Sequence, residues 1–168
     1  MHTALEAWLC MEVRGDHPVL LDLGRREASR LIEEDSPPGV RRALSRAVAA
    51  ETERILLGFL DSPLPSRLAA AEILGTEVPI LFRDRNGQTW TGACDLLFRE
   101  GGSVVVADFK TDQVDRGATV IAERYRAQIG VYLEAVGRAL GEAGLRGEVL
   151  FVRTGEAVVL LPAPPDPD

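Results

Sequence analysis

The sequence has few cysteines and no long apolar run. Cys10 and Cys94 are the only cysteines in 168 residues, too few for a disulfide framework or for the ligand set of an iron–sulfur cluster. We expect both to be small core residues. No apolar run approaches the roughly 18 to 20 residues that span a bilayer, and the N-terminus lacks the basic start of a signal peptide. These absences predict a cytoplasmic protein with one ordinary globular domain.

Lysine is almost absent, although arginine is abundant. Of the 19 basic residues only Lys110 is a lysine, and the 26 acidic residues give a formal net charge of −7. Binding nucleic acid through a broad basic surface requires many lysine and arginine contacts, so any contact with nucleic acid must be local or supplied by a partner. A site that needs a compact ammonium would explain the one lysine, and chance is the alternative. No glycine-rich phosphate loop followed by lysine is present, so we expect no ATP site in this chain.

The spacing of apolar residues changes from helical to extended along the chain. It predicts helices at about 2–13, 19–34, 36–61 and 118–140. Beyond Pro65 it predicts strands at about 70–83, 88–98, 103–109, 147–153 and 157–161, the first three of them antiparallel. We therefore expect a mixed α/β fold over 1–161, with a helical part over 1–65, a core over 66–161, and a disordered tail over 162–168.

The third predicted strand ends in an acid and a lysine. Asp108 and Lys110 follow the apolar run 104–107 and are two positions apart. Because side chains alternate along a strand, both should project from the same face. Chemistry at this position is one interpretation. The other is that the charges only mark where a buried strand ends.

The preceding strand carries another acid inside an apolar run. Burying an unpaired carboxylate at Asp95 would cost on the order of several kcal/mol, so a positive group should compensate it. The turn at 100–102 returns this strand against the next, which can bring Asp95 beside Asp108. Two close carboxylates repel unless a divalent cation lies between them, so the pair suggests a hard metal site. A structural salt bridge to Lys110 is the alternative.

Three motifs together resemble a known nuclease family. They are Gly92-x-x-Asp95, Asp108-Phe109-Lys110-Thr111 and Tyr125-x-x-Gln128-x-x-x-Tyr132. In this order they resemble the RecB-like branch of the PD-(D/E)XK nucleases, the domain at the C-terminal end of AddA and RecB helicase-nuclease subunits. The resemblance covers about 72–140 and extends to the N-terminal helix through His2. It implies a restriction-endonuclease-like core, with a mixed central sheet flanked by helices.

The resemblance also implies a role for each matching residue. Asp95 and Asp108 would bind a metal, together with the backbone carbonyl of Phe109 and the imidazole of His2. Lys110 would act in catalysis beside the two acids. Oxygen ligands favour Mg²⁺, and a histidine would also admit Mn²⁺.

The resemblance further implies that three residues of the long predicted helix contact the substrate. Tyr125, Gln128 and Tyr132 are spaced to share one helix face. The alternative is that the tyrosines only border the core. Glu77 is a weak candidate for assisting the site, and a solvated strand residue is the interpretation we favour for it.

Two functions of different class follow from the resemblance. The first is a Mg²⁺-dependent deoxyribonuclease, acting as an exonuclease on single strands or ends in recombination and double-strand-break repair. It would be a C-terminal part or a partner of a UvrD/AddA-type helicase-nuclease, and the acidic composition favours such a helicase partner. The alternative is a catalytically silent module that has a structural or DNA-guiding role in a helicase complex.

Overall fold

The computed structural model describes residues 2–10, 17–30, 38–83 and 87–160. In chain order the helices are α1 (His2–Leu9), α2 (His17–Arg30), α3 (Pro38–Leu60), α4 (Leu64–Ala70), α5 (Ala118–Ala122) and α6 (Arg126–Leu140), with a 3₁₀ turn (Glu123–Tyr125) between the last two. The strands are β1 (Glu72–Arg83), β2 (Thr89–Glu100), β3 (Ser103–Lys110), β4 (Arg146–Phe151) and β5 (Glu156–Leu160).

The five strands form one mixed sheet in the order β1-β2-β3-β4-β5. β1, β2 and β3 are antiparallel neighbours, as the sequence predicts. Gly101 and Gly102 form the turn between β2 and β3 with φ of 56° and 82°, a conformation that glycine adopts without strain. β4 pairs with β3 in parallel, which requires the long connection through α5 and α6. β3 is thus an inner strand with partners on both sides.

Each face of the sheet packs against its own set of helices. On one face, buried side chains of α1, α3 and α4 pack against β2, β3 and β4; we call this the N-terminal core, and it includes Trp8, Phe59, Leu68, Phe98 and Phe109. On the other face, α5 and α6 form what we call the C-terminal core, which includes Ile121, Ile129, Leu133, Val106 and Phe151. This arrangement confirms the expected mixed sheet with flanking helices and a helical N-terminal region.

Two helical features differ from the prediction. The segment beyond Pro65 was expected to be extended, but it continues the short helix α4 that begins at Leu64. Leu64 and Leu68 are buried one helical turn apart in α4, and Pro65 lies in the first turn, where proline is tolerated. The helix predicted over 118–140 is interrupted by the 3₁₀ turn. Its end is as predicted, because Gly141 adopts a left-handed φ of 66°.

The remaining expectations concern termini, cysteines and membrane helices. Cys94 is buried, as expected, whereas Cys10 is exposed, because it follows the last residue of α1 and its Sγ lies 3.4 Å from the hydroxyl of Thr76.

Several predicted features lie outside the described residues: the helix ends over 11–13 and 31–34, the turn at 84–86 and the tail over 162–168. The division into parts over 1–65 and 66–161 stays a prediction. Within the described part of the chain, no helix is both long and apolar enough to cross a bilayer.

Candidate active site

The pairing between β2 and β3 stops where the two predicted acids lie. The last paired residues are Leu96 and Ala107, so Asp95 and Asp108 occupy the next position on each strand. β3 continues to pair with β4 beyond this point, through Lys110. The carboxylates of Asp95 and Asp108 are therefore brought to one edge of the β2–β3 ladder, as the sequence predicts.

Asp95 takes the place of a backbone acceptor at this edge. Its Oδ2 accepts a hydrogen bond of 2.7 Å from the backbone amide of Phe109. The strand is irregular here, since Cys94 belongs to the C-terminal core whereas Leu96, two residues later, belongs to the N-terminal core. In a regular strand these two side chains would share a face. The irregularity leaves Asp95 half-buried at the point where β2 leaves β3.

Asp108 is a buried carboxylate with a cation and an amide beside it. Its residue is only 1% exposed. Lys110 forms an ion pair with Oδ2, and the side-chain amide of Gln128 donates a 3.0 Å hydrogen bond to Oδ1. A buried charge is tolerated only when it is paired and hydrogen-bonded, and both conditions hold here. The predicted placement of Asp108 and Lys110 on one face is confirmed.

Tyr125 lies against the ammonium group of Lys110. The Nζ atom is 4.5 Å from the centroid of the tyrosine ring, within the range of a cation–π contact. The hydroxyl of Tyr125 donates a 2.9 Å hydrogen bond to Asp112. Burial and the adjacent Asp112 raise the pKa of Tyr125 to about 12. The phenol therefore keeps its proton at neutral pH.

Gln128 links Asp108 to Tyr132. Its Nε2 also donates a 2.9 Å hydrogen bond to the hydroxyl of Tyr132, a buried residue of α6. Burial is the main cause that raises the pKa of Tyr132, and the charges of Asp108 and Asp95 add to it. A Cβ atom built on Gly92 would lie 3.5 Å from the Tyr132 hydroxyl. The first and third sequence motifs thus meet at Tyr132.

Cys94 adjoins the acids but is not a nucleophile. Its thiol contacts the carbonyl oxygens of Leu96 and Ala107 at 3.3 and 3.7 Å. Burial, with the negative charges of Asp95 and Asp108, raises the pKa of the thiol to about 12. Because the thiolate is the reactive form, this thiol is inert near neutral pH.

Glu77 lies in the middle of β1, whereas only the backbone of His2 is described. Thr76 pairs with Leu96 and Val78 with Cys94, so Glu77 falls at the register position facing Asp95. Glu77 is exposed and has a φ of 48°, which is unusual for a residue other than glycine. The backbone of His2 begins α1, but its side chain lies outside the described residues, and its role as a ligand stays a prediction.

The donor groups at the strand ends are compatible with a hard divalent cation. Among the described residues, no cluster of three or more histidine, cysteine or acidic side chains is suited to hold a metal. The set here is smaller: the carboxylates of Asp95 and Asp108, with the main-chain carbonyl of Phe109, the residue directly after Asp108. Carboxylate and carbonyl oxygens are the ligands that Mg²⁺ prefers. The ion pair between Asp108 and Lys110 is also the salt bridge that the sequence offered as the alternative to a metal site.

Asp112 lies at the site although the sequence did not predict a role for it. This acid follows Lys110 and Thr111 directly, and its hydrogen bond to Tyr125 spans 13 positions in the chain. The only signal in the sequence was an acid close to the strand-end lysine. Its partner could not be predicted, because it depends on where the connection after β3 returns to the sheet.

The comparisons with known proteins agree with the three motifs. An ATP-dependent helicase/nuclease subunit of Acetivibrio thermocellus is 33% identical to this chain over 138 residues, which cover 73% of the chain and 11% of the relative. The protein of the same name from Bacillus cereus strain AH187 is 27% identical over 162 residues, covering 83% of the chain and 13% of the relative. The chain therefore spans only about a tenth of the length of these curated relatives.

A family model covers nearly the whole sequence. The model described as the PD-(D/E)XK nuclease superfamily matches residues 1–167. This match includes all the candidate residues of the β2–β3 edge and of α6. It confirms the resemblance drawn from the motifs: the chain belongs to the PD-(D/E)XK nuclease superfamily.

Proposed function

We propose that this chain is a metal-dependent nuclease domain that hydrolyses phosphodiester bonds in DNA. The observation that carries the proposal is the buried Asp108, held between Lys110 and Gln128 where β2 parts from β3. Asp108 is only 1% exposed and lies beside a second acid, so its burial lowers the stability of the folded protein. A role in binding a cation would explain why the carboxylate is buried there. Membership in the nuclease superfamily supports this role.

The proposed cofactor is Mg²⁺, with Mn²⁺ as a substitute. Asp95 and Asp108 would hold it, with the carbonyl of Phe109 and the imidazole of His2 as further ligands. When bound, such a cation supplies Lewis-acid chemistry that polarises a phosphodiester oxygen. The hydrogen bond from the Phe109 amide fixes Asp95, and the one from Gln128 fixes Asp108, so both carboxylates are oriented before a cation arrives.

Lys110 would stabilise the negative charge that develops on the phosphate in the transition state. Its ammonium is partly shielded from water, with 18% of the side chain exposed, so its charge acts through a medium of lower dielectric than water. It would also orient the attacking water. Gln128, Tyr132 and Tyr125 would border the bound DNA strand.

We further propose an exonuclease that acts on single strands or ends in DNA repair. The names of the relatives, which describe helicase/nuclease subunits, support a place beside a helicase, as a region of a longer chain or as its partner. The net charge of −7 agrees with this, since a partner would supply the broad DNA contact that the chain itself lacks.

Cleavage of labelled DNA tests the proposed activity. End-labelled and internally labelled single strands are incubated with wild type, Asp108→Asn, Lys110→Met and the matched control Asp115→Asn, an exposed acid. We expect cleavage with Mg²⁺ or Mn²⁺ and none with a chelator. The rate should fall roughly 10²- to 10³-fold in Lys110→Met, as when one transition-state donor is removed, and at least as far in Asp108→Asn.

The products distinguish the finer proposals. Mononucleotides released from one end indicate an exonuclease, whereas internal fragments indicate an endonuclease. Equal rates in wild type and Asp108→Asn would overturn the assignment of the site. Metal binding without any cleavage would point to an activity that needs a helicase partner. Neither metal binding nor cleavage would favour the alternative, a silent structural or DNA-guiding module.

A further inference from the structure

The ammonium of Lys110 is held by two different kinds of contact. One is the ion pair with Asp108, and the other is the ring of Tyr125, 4.5 Å from Nζ to the ring centroid. A lysine side chain has a flexible four-carbon stem and loses much conformational freedom when one position is fixed. The contact with the Tyr125 ring therefore restricts the position of the Lys110 ammonium more than the ion pair alone would.

Tyr125 is in turn fixed from the side of β3. Its hydroxyl donates a 2.9 Å hydrogen bond to the Oδ2 atom of Asp112, which lies two residues beyond Lys110. Tyr125 itself belongs to the 3₁₀ turn that separates α5 from α6. The contacts thus form a short chain: Asp112, just beyond β3, anchors Tyr125, and the ring of Tyr125 contacts Lys110 at the end of β3.

The hydrogen bond is well suited to persist at neutral pH. Burial raises the pKa of Tyr125 to about 12, and the hydrogen bond to Asp112 contributes in the same direction. The phenol therefore remains a donor. Asp112 is half-buried, so water competes less for its carboxylate than at an exposed position. The ring orientation that results presents the negative face of the π system to the ammonium.

We propose that Asp112 is a positioning residue that acts through Tyr125 to hold the Lys110 ammonium at the β2–β3 edge. The catalytic consequence rests on the proposed function, whereas the positioning itself does not. When a cation binds Asp108, the ring would keep Lys110 beside the site, because that contact does not use the carboxylate.

The single lysine makes the positioning directly measurable. Labelling lysine with ¹³C at Cε alone gives a single signal, that of Lys110, in the metal-free protein. We expect the Hε protons to be shifted upfield in the wild type by the ring current of Tyr125. Asp112→Ala and Tyr125→Phe should move the signal toward the position of a free lysine, whereas Asp112→Asn, which retains an acceptor, should largely preserve it. Asp115→Ala, an exposed acid on the same segment, is the matched control.

Kinetics of DNA cleavage provide the second measurement. We expect kcat to fall roughly 10- to 100-fold in Asp112→Ala, as when groups that orient a reactive side chain are lost, with KM changed by less than about twofold. Asp112→Asn should recover most of kcat. A residue that only stabilises the fold would lower the melting temperature without this split between kcat and KM or this recovery.

The outcomes separate the two proposals. A Lys110 signal without an upfield shift in the wild type, or one unchanged in both Asp112→Ala and Tyr125→Phe, would overturn the positioning role, whether or not the chain cleaves DNA. An upfield signal that both variants abolish supports the positioning role. If that protein showed no cleavage with either metal, the proposed nuclease activity alone would fail.

Discussion

Asp108 joins several side chains that are distant in sequence. Its two oxygens receive Lys110 and Gln128, and Gln128 passes a second hydrogen bond to Tyr132. Because the Asp108 carboxylate is buried, each of these donors replaces a water molecule that hydrates the carboxylate in the unfolded chain. The acid is therefore the residue at which stability and the proposed function meet.

Removing the Gln128 amide should destabilise the protein more than removing the Tyr132 hydroxyl. Gln128→Leu leaves an oxygen of buried Asp108 without its amide donor, and we expect the free energy of unfolding to fall by about 1–3 kcal/mol. Tyr132→Phe loses one neutral hydrogen bond, for which we expect about 0.5–1.5 kcal/mol. Urea unfolding of both variants measures the difference. The reverse order would contradict the role given to Gln128 at Asp108.

Which residues could be predicted depends on how close they are in the chain. Asp108 and Lys110 were predicted together because they are two positions apart on one strand. The hydrogen bond from the backbone amide of Phe109 to Asp95 and the anchoring of Tyr125 by Asp112 were not predicted. Each joins residues 13 or 14 positions apart through a local departure from regular structure. The alternation of side chains between the two faces of β2 also fails at Asp95, and no periodic pattern in the sequence indicates this irregularity.

A network of four charges lies between α4 and the strands β2 and β4. Arg67 of α4 donates to Glu100 and to Glu148 at 2.7–2.8 Å, and Arg146 forms ion pairs with the same two acids. Glu148 is only 2% exposed, and the two guanidinium groups balance the two carboxylates. The network holds α4 against the sheet.

The Glu100 pairs should stabilise the protein in a defined pH range. The guanidinium of Arg67 first, and that of Arg146 second, lower the pKa of Glu100 from 4.5 to about 2. An acid whose pKa is depressed by folding contributes stability above its unfolded pKa and loses it as pH falls through the folded value. The contribution should therefore be complete above about pH 4.5 and vanish between there and pH 2.

Glu100→Gln isolates this contribution. We expect the variant to be less stable than wild type at pH 7 by up to about 1 kcal/mol, since water screens partly exposed pairs. The difference in melting temperature should shrink as pH falls below 4.5. Glu156→Gln, at an exposed position of β5, is the control and should show no such dependence. A difference that stays constant down to low pH would contradict the assignment.

Close contact between α6 and the sheet depends on a glycine in β4. A Cβ atom at Gly147 would lie 2.3 Å from Cγ2 of Ile129 and 3.1 Å from the carbonyl oxygen of Leu160. We expect Gly147→Ala to lower the free energy of unfolding by about 1–3 kcal/mol through overpacking.

Gly130 provides the matched comparison on α6. A Cβ atom there meets nothing within 4 Å, so Gly130→Ala should raise the free energy of unfolding by about 0.5–1 kcal/mol through better helix propensity. Denaturant unfolding compares the two variants. Equal effects would show that the close approach at Gly147 does not limit the packing of α6.

At the level of elements, periodicity predicted the strands and the end of α6 to within a few residues. It missed α4, because two buried leucines in a short segment that contains prolines are too few to define a helical pattern. It also missed the 3₁₀ turn, because the apolar spacing continues through it. Both features are fixed by tertiary contacts, those of Arg67 in one case and of Tyr125 in the other.

For the whole molecule, the strand-to-helix order was sufficient to predict the mixed sheet. The long connection after β3 requires a crossover, and its helices cover one face of the sheet. The acidic composition agrees with the proposed cation, since a chain of net charge −7 with two carboxylates at one edge of a strand pair would be stabilised by a divalent cation there. The proposed activity depends on the binding of that cation.

Calorimetric titration of Mg²⁺ tests this binding most directly. Wild type, Asp95→Asn, Asp108→Asn and the control Asp115→Asn are titrated in the absence of DNA. We predict a saturable heat in the wild type and in Asp115→Asn that is lost in both site variants, because each removes one of the two carboxylate ligands. The same heat in all four proteins would show that Mg²⁺ binds only the acidic surface, and it would contradict a metal site at Asp95 and Asp108.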